Sequence, residues 1–152
     1  MEIIQGNRTH IEDCLRIARN LPQYFTQDAT KNLSKDISTH QLFVAVDSSE
    51  VRGFITLIQK SPFVAEISWL AVHPEHQHKG NGSALVNYIA TKLKNTGVKV
   101  LEVKTLSPGT DYLPYENTRR FYDKSGFLLM DIIDPYPGWE PGNPCAVYVK
   151  IL

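Results

Sequence analysis

The chain contains 152 residues with 16 basic and 16 acidic side chains, so its formal net charge is zero. This length suits one domain, and 42% hydrophobic residues exclude a disordered chain. Balanced charge argues against a nucleic-acid-binding protein, because that affinity comes from excess lysine and arginine. No apolar run reaches the ~20 residues of a membrane span, and the first ten residues lack a signal-peptide pattern. We therefore expect a single cytoplasmic domain over residues 1–152.

The first part of the chain predicts one strand and two helices. Met1–Ile4 is an apolar start that is typical of a strand. Thr9 and Glu12 have the spacing of a capping box, which predicts the start of a helix that ends before Pro22. Apolar residues at four-residue steps over positions 29–37 predict a second helix.

The middle of the chain predicts three strands and the longest helix. Leu42–Val46 and Val51–Ile58 flank the polar segment Asp47–Glu50, which is the pattern of a β-hairpin. Val64–Val72 predicts a third strand of this part. Helical spacing over Gly80–Gly97 predicts a long helix that ends at a glycine.

The last part predicts a strand, a helix and a closing pair of strands. Val98–Leu106 alternates apolar and charged residues as a strand does. Pro114 opens a helix at its first turn, and Gly126 closes it. Phe127–Ile133 and Ala146–Leu152 predict the final strands. The order of elements indicates the α/β (α+β) class, with a mixed, mostly antiparallel sheet flanked by helices.

The most informative segment is the loop that precedes the long helix. Gln77–Gly82 reads Gln-His-Lys-Gly-Asn-Gly and joins a predicted strand to that helix. The first amides of a helix have no internal partner and carry the positive end of its dipole. Gly80 and Gly82 lack Cβ atoms, so a phosphate can approach the main chain, and Lys79 adds a positive charge. The loop predicts a pyrophosphate site; an ordinary glycine-rich turn is the alternative.

Three histidines in the same region raise the question of a metal. His73, His76 and His78 lie within six residues, and imidazoles can ligate zinc. No cysteine or further histidine is placed to complete the set. We therefore expect exposed loop histidines and no metal.

Two motifs carry a resemblance to a known family. Glu66–Pro74 is followed by Gln77–Gly82, and Thr118–Phe127 comes later in the chain. The strand segment Glu66–Pro74 followed by Gln77–Gly82 resembles the acetyl-CoA signature Gln/Arg-x-x-Gly-x-Gly/Ala of the GNAT superfamily of N-acetyltransferases. The later segment resembles that family's second motif, small-x-x-Phe-Tyr-x-x-x-Gly-Phe. The chain departs from the family at Tyr115, where asparagine is common, and at Asn81, where an apolar residue is common.

The resemblance implies a GNAT-type acyl-CoA N-acyltransferase fold and acetyl transfer from acetyl-CoA to a primary amine of a small molecule or peptide. The amine would attack directly in a ternary complex, with no metal. The implied partners are acetyl-CoA and the amine, with no nucleic acid or membrane, and the resemblance allows a homodimer. Backbone groups of the strand end and the loop would bind the cofactor; these residues are Leu70, Ala71, Val72, Gln77, His78, Lys79, Gly80, Asn81, Gly82 and Ser83.

Two side chains are candidates for the proton transfers of this reaction. An alkyl ammonium must lose a proton before it attacks, and an acid helps the thiolate of coenzyme A to leave. Tyr122 matches the family position of that acid; the alternative is a core tyrosine. Glu66 is the candidate base acting through water, which Ser68 would order; the alternative is a solvent-facing glutamate. Cys14 lies on a packing stripe and Cys145 starts a strand, so no acetyl-cysteine is expected.

By resemblance, the loop after the first helix and the last hairpin border the acceptor pocket. Aromatic residues there and before the last helix predict an aromatic wall or a cation site, and packing onto the core is the alternative. These residues are Tyr24, Phe25, Tyr112, Tyr115, Tyr136 and Trp139.

Two other functions stay open from the sequence. A non-catalytic acyl-CoA-binding sensor or regulatory module is favoured by the missing asparagine and by the open question of the base. A phosphate-binding protein unrelated to coenzyme A would also use the loop. Residues 73–104 carry five basic and two acidic side chains, the most basic part of the chain, which suits an anionic ligand.

Overall fold

The computed structural model describes residues 1–109 and 112–152. Within these residues the chain forms seven strands and four α-helices, and the predicted mixed, mostly antiparallel sheet flanked by helices is confirmed. The chain divides into two compact units. Unit 1 comprises residues 1–58 and 67–92, and unit 2 comprises residues 59–66 and 93–152. That the chain is one domain stays a prediction.

All the predicted strands and helices are present, with bounds shifted by a few residues at most. The strands are β1 (Glu2–Gln5), β2 (Gln41–Asp47), β3 (Glu50–Gln59), β4 (Val64–Val72), β5 (Val100–Leu106), β6 (Leu128–Ile133) and β7 (Cys145–Ile151). The helices are α1 (Ile11–Arg19), α2 (Gln27–Asp36), α3 (Asn81–Asn95) and α4 (Leu113–Lys124). No helix in the described ranges is long and apolar enough to cross a membrane.

Unit 1 buries both faces of strand β2. Leu42 and Val44 lie in a core that α1 and α2 also line. Phe43 points the other way, and its ring centroid lies 5.8 Å from that of Tyr88 on α3. Because both faces are covered, the strand is a continuous apolar run instead of an alternating one. β2 pairs antiparallel with both β1 and β3.

The hairpin between β2 and β3 closes with a two-residue turn. Ser48 and Ser49 have φ angles of 51° and 65°, and Asp47 pairs with Glu50 across the strands. Positive φ at both central residues is the turn geometry whose twist matches that of paired strands. The prediction of a hairpin is confirmed, and its turn is shorter than the four residues predicted.

The predicted capping box of the first helix is wrong. The side chain of Asn7 accepts a hydrogen bond from the backbone N of Thr9 at 2.9 Å, and the Asn7 amide donates to Nδ1 of His10 at 3.1 Å. These bonds cap a short 3₁₀ turn over Arg8–His10 that leads into α1. Asparagine is a stronger N-cap than threonine, so the cap forms two residues earlier.

Unit 2 is built around strand β7. It pairs antiparallel with β5 on one side and with β6 on the other. β6 is the last strand in the sheet order, and it has large exposed apolar side chains. Leu128, Leu129, Met130 and Ile132 are between 46% and 65% exposed.

Candidate cofactor and active site

The segment between β4 and α3 turns tightly into the start of the helix. The carbonyl of Gly80 accepts a hydrogen bond from the amide of Ala84 at 2.9 Å. Because this is the first bond of the helix ladder, the amides of residues 81–83 have no acceptor within the helix. They also stand at the positive end of the helix dipole, where anions bind favourably. The turn therefore has the geometry of an anion site.

The backbone of this turn is left-handed at two positions. His78 has a φ of 59° and Gly80 a φ of 85°. Glycine adopts this conformation without steric cost, whereas it is uncommon for a residue with a side chain. A Cβ atom built on Gly80 would have no heavy atom within 4 Å. The turn is therefore open at Gly80.

Side chains of the loop hold the turn together. Nε2 of Gln77 donates to the carbonyl of Val72 at 3.0 Å, and Nδ2 of Asn81 donates to the carbonyl of His76 at 2.7 Å. Nζ of Lys79 donates to the carbonyl of residue 75 at 2.9 Å. Asn81 is only 6% exposed, so its amide is a paired polar group where the family commonly has an apolar one. Anion contact is therefore left mainly to the backbone.

A glycine lets β3 approach the site closely. A Cβ on Gly53 would lie 3.1 Å from the carbonyl oxygen of Ala71 and 3.3 Å from a methyl carbon of Leu85. Both distances are tighter than ordinary contacts, so a side chain at this position would push β3 away. Glycine at this position therefore lets β3 lie close to the end of β4 and to Leu85 on α3.

Tyr122 lies on α4 in an aromatic environment. It is 5% exposed, and its ring makes edge contacts with Phe121 and Phe127, with centroids 5.2 Å apart in each case. Burial raises the pKa of Tyr122, so its phenol stays protonated at neutral pH. These contacts are those of a core tyrosine, and its role as an acid stays a prediction.

Glu66 belongs to a partly buried group of alternating charges. Its carboxylate lies 2.7 Å from Nζ of Lys104, and its side chain is 12% exposed. Nζ of Lys104 also lies 3.5 Å from Glu102, whose carboxylate accepts from Lys60 at 2.9 Å. We call these four residues the Glu66–Lys104 cluster. The alternative of a solvent-facing Glu66 is wrong, because its carboxylate turns inward to Lys104.

Lys104 provides a permanent positive charge in this cluster. Burial lowers the pKa of Lys104. Hydrogen bonds to Glu66 and Tyr136 and the charges of Glu66 and Glu102 raise this pKa by more than burial lowers it, so the net shift is upward. Its Nζ also lies 5.5 Å from the ring centroid of Tyr136. Lys104 therefore joins Glu66, Glu102 and the ring of Tyr136 into one group.

A hydrogen-bonded chain around Ser68 in unit 1 is not predicted by any sequence pattern. Its Oγ lies 2.7 Å from Oγ1 of Thr56 and 2.8 Å from Nδ1 of His40. Nε2 of His40 lies 3.9 Å from Asp36, which accepts from the indole N–H of Trp69 at 3.0 Å. The hydroxyl of Ser68 is therefore already engaged by two protein groups. No spacing rule connects residues so far apart in sequence.

The predicted aromatic residues fall into separate groups. In unit 1, Phe25 is a buried core residue stacked on Trp69 at 5.6 Å, and Tyr24 packs against the same core. For Phe25 the packing alternative holds. In unit 2 the others form two ring pairs with centroids 5.6 and 5.2 Å apart, which are Tyr112 with Tyr115 and Tyr136 with Trp139.

Both cysteines are buried free thiols. Burial raises the pKa of Cys14 to about 12 and that of Cys145 to about 11. The nucleophilic form of cysteine is the thiolate, so such thiols are poor nucleophiles at neutral pH. The expectation that no acetyl-cysteine forms agrees with these surroundings.

The sequence is similar to known acetyltransferases. A family model described as an acetyltransferase (GNAT) domain matches residues 38–128. A relative from Bacillus methanolicus, an uncharacterized N-acetyltransferase in the lysA 3′ region, is 22% identical over 113 residues, which are 74% of each chain.

The fold is similar to that of solved structures. A putative acetyltransferase of the GNAT family from Desulfovibrio desulfuricans superposes with a TM-score of 0.85 at 19% identity, covering 99% of this chain and 98% of that one. A GNAT family acetyltransferase from Elizabethkingia anophelis, solved with acetyl-CoA bound, gives a TM-score of 0.75 at 22% identity. That comparison covers 99% of this chain and 97% of the other.

Proposed function

Because the chain belongs to the GNAT acetyltransferase family, we propose that it transfers an acetyl group from acetyl-CoA to a primary amine of a small molecule or peptide. The observation that carries this proposal is the turn between β4 and α3, where the helix amides before Ala84 have no acceptor within the helix and stand at its positive end. A protein of the same fold that binds acetyl-CoA supports the choice of cofactor.

We place the cofactor along the end of β4 and the turn that follows. The amides of residues 78–83 hold the pyrophosphate, with Gly80 and Gly82 allowing its close approach. The amide of Gln77, also expected there, already donates to the carbonyl of Pro74 at 3.4 Å. Backbone groups of Leu70–Val72 hold the pantetheine arm. These contacts fix the thioester beside the acceptor, which converts a bimolecular encounter into a reaction within one complex.

The proposed chemistry needs one base and one acid. Glu66 takes a proton from the ammonium through a water molecule, and the neutral nitrogen attacks the thioester carbonyl carbon. As the C–N bond forms and the C–S bond breaks, Tyr122 protonates the leaving thiolate. The proton that the nitrogen loses on becoming an amide restores Tyr122, and Glu66 releases its proton to solvent.

The surroundings of these two groups bear on their roles. Lys104 holds the carboxylate of Glu66 in place through an ion pair of 2.7 Å. Burial of Tyr122 keeps its phenol protonated, and because the raised pKa makes it a weaker acid, it donates only as the thiolate forms beside it. The acceptor amine is cationic before it reacts, and exposed aromatic rings such as Tyr112 suit a cation.

A second function is an acyl-CoA sensor without turnover. The observation that favours it is the ion pair of Glu66 with Lys104, which occupies one oxygen of the proposed base. Tyr115 in place of the common asparagine also fits a module that has lost activity.

A thiol-release assay with acetyl-CoA and a broad panel of amines and peptides separates these functions. Calorimetry with coenzyme A and with ATP is run in parallel on the same protein. The enzyme releases thiol and yields an acetylated amine with at least one member of the panel. Coenzyme A binding without turnover on any member supports the sensor, and ATP binding without coenzyme A binding rejects both.

A further inference from the structure

We propose that the turn after β4 forms a binding site for a zinc-like divalent metal ion, with His73, Glu75 and His76 as ligands. Each of these side chains offers one ligand atom, and the three atoms lie within 4.8 Å of one another. The sequence drew attention to His73, His76 and His78 and predicted no metal. The structure replaces the third histidine with a carboxylate and so supplies the group that the sequence did not find.

The backbone brings the three side chains together. Pro74–His76 form a short 3₁₀ turn capped by His73, whose Nδ1 accepts from the amide of Glu75 at 3.3 Å. The amide of His76 donates to the carbonyl of His73 at 2.8 Å. Residues three apart in a 3₁₀ turn lie above one another, and the two imidazole centroids are 5.7 Å apart. The pair is therefore held on one side of the turn.

Hydrogen bonding leaves ring nitrogens open for a metal. Nδ1 of His73 accepts from the amide of Glu75, so the proton of its neutral ring is on Nε2. A metal ion bound through Nε2 moves that proton to Nδ1 and replaces this 3.3 Å hydrogen bond. Nδ1 of His76 is buried, and it has no hydrogen-bond partner among residues 1–109 and 112–152. Buried polar atoms are almost always paired, so such an atom calls for a partner. A metal ion at the cluster satisfies it.

The neighbouring charges suit a cation. Nε2 of His76 lies 3.9 Å from the carboxylate of Glu50, which is too long for a hydrogen bond but adds negative charge beside the ring. Glu75 and Glu50 together offset the charge of a divalent ion. The nearest cation on the turn, Lys79, has its Nζ bonded to the backbone carbonyl of Glu75, not to the carboxylate.

The donor set selects the kind of ion. Two imidazoles and one carboxylate suit Zn²⁺ and its neighbours Co²⁺ and Ni²⁺, whereas Ca²⁺ and Mg²⁺ need mostly oxygen ligands. Zinc–nitrogen bonds are about 2.0–2.1 Å long, so the side chains must rotate inward to bind. Two of the ligands are half-buried and Glu75 is exposed, which leaves room for that rotation and for a water ligand.

The test is calorimetric titration of Zn²⁺ into untagged, chelator-stripped protein, with the absorption spectrum of the Co²⁺ form as a second readout. We expect one saturable site and a Zn²⁺-dependent rise in Tm. His76→Asn, His73→Asn and Glu75→Gln should each weaken Zn²⁺ binding about tenfold or more. Circular dichroism of each variant without metal checks that it still folds.

His78→Asn is the matched control, because asparagine tolerates the left-handed conformation of this residue. It should leave Zn²⁺ affinity unchanged. No saturation below about 1 mM Zn²⁺, or an equal loss in His78→Asn and His76→Asn, would overturn the site. Neither readout uses acetyl transfer, so the proposal stands or fails independently of the proposed function.

Discussion

Two regions of the molecule accommodate charge by different means, namely the turn between β4 and α3 and the Glu66–Lys104 cluster. The turn offers backbone amides, and its side chains Gln77 and Asn81 are used to hold its shape. The cluster consists of side-chain charges that pair with one another, with Lys104 between Glu66 and Glu102. The turn therefore depends on the conformation of the chain, and the cluster on the identity of four side chains.

This difference decides how each region responds to mutation. In a backbone site, most side-chain changes preserve the amides, and only changes that alter the path or block the approach should matter. In a cluster of paired charges, removing one partner leaves the other partly buried and unpaired, which costs stability as well as function. The following substitutions test that contrast.

The largest effect is expected from Glu66→Gln, which removes the proposed base and keeps its shape. We expect kcat to fall about 100-fold, the scale of a lost general base. Glu102→Gln is the matched control, because it also removes a carboxylate partner of Lys104 but not the base. Similar loss of kcat in the two variants would show that the cluster acts structurally and would remove Glu66 from the mechanism.

Tyr122→Phe tests the acid with almost no change in shape. The turnover rate should fall more than about tenfold while the affinity for acetyl-CoA changes little. Tyr88→Phe on α3, a tyrosine 38% exposed, serves as the control for loss of a hydroxyl. An unchanged rate in Tyr122→Phe would leave that residue with its packing role alone.

Gly82→Val tests the backbone site directly. The valine side chain should obstruct the approach of the pyrophosphate and weaken coenzyme A binding about tenfold, or about 1.4 kcal/mol. Calorimetry with coenzyme A measures it, and Ser83→Ala is the control, since it keeps the amide and changes only an exposed side chain. Equal affinities for the valine variant and the native protein would show that the pyrophosphate lies elsewhere.

The smallest effect is expected from Asn81→Ala. The variant loses the 2.7 Å hydrogen bond to the carbonyl of His76, and we expect about 1 kcal/mol lower stability in urea unfolding. Coenzyme A affinity should fall by less than in Gly82→Val, because the amide of residue 81 remains. A larger loss of affinity than of stability would show that the side chain itself contacts the cofactor.

The same contrast explains what could be predicted from the sequence. Gln77–Gly82 is a contiguous motif. Because local sequence determines local backbone conformation, such a motif predicts a site made of backbone groups. Lys104 and Glu66 lie 38 residues apart, and Ser68 and His40 lie 28 apart. Pairs of this kind form only through strand packing, which periodicity does not specify. The strand alternation around Lys104 is typical of a solvent-facing residue, yet its side chain is mostly buried.

The sequence predicts helices and strands well where one face of the segment is apolar and a proline or glycine ends it. The start of α1 is predicted less well, because the cap forms at Asn7, which accepts from the amide of Thr9. Asn7 outcompeted Thr9, whose hydroxyl now donates to the Asn7 side chain at 2.6 Å. The hairpin is predicted because its flanking strands are clear, whereas its two-residue turn is not, since serine is not the residue that such a turn favours.

Strand β6 has a practical consequence for handling the protein. It is the last strand of the sheet order, and its exposed apolar side chains sit on a backbone edge that another chain can extend. The chain carries no net charge at pH 7, so long-range repulsion does not keep copies apart there. Concentrated samples should therefore precipitate most readily near neutral pH and stay dispersed a pH unit or two away from it.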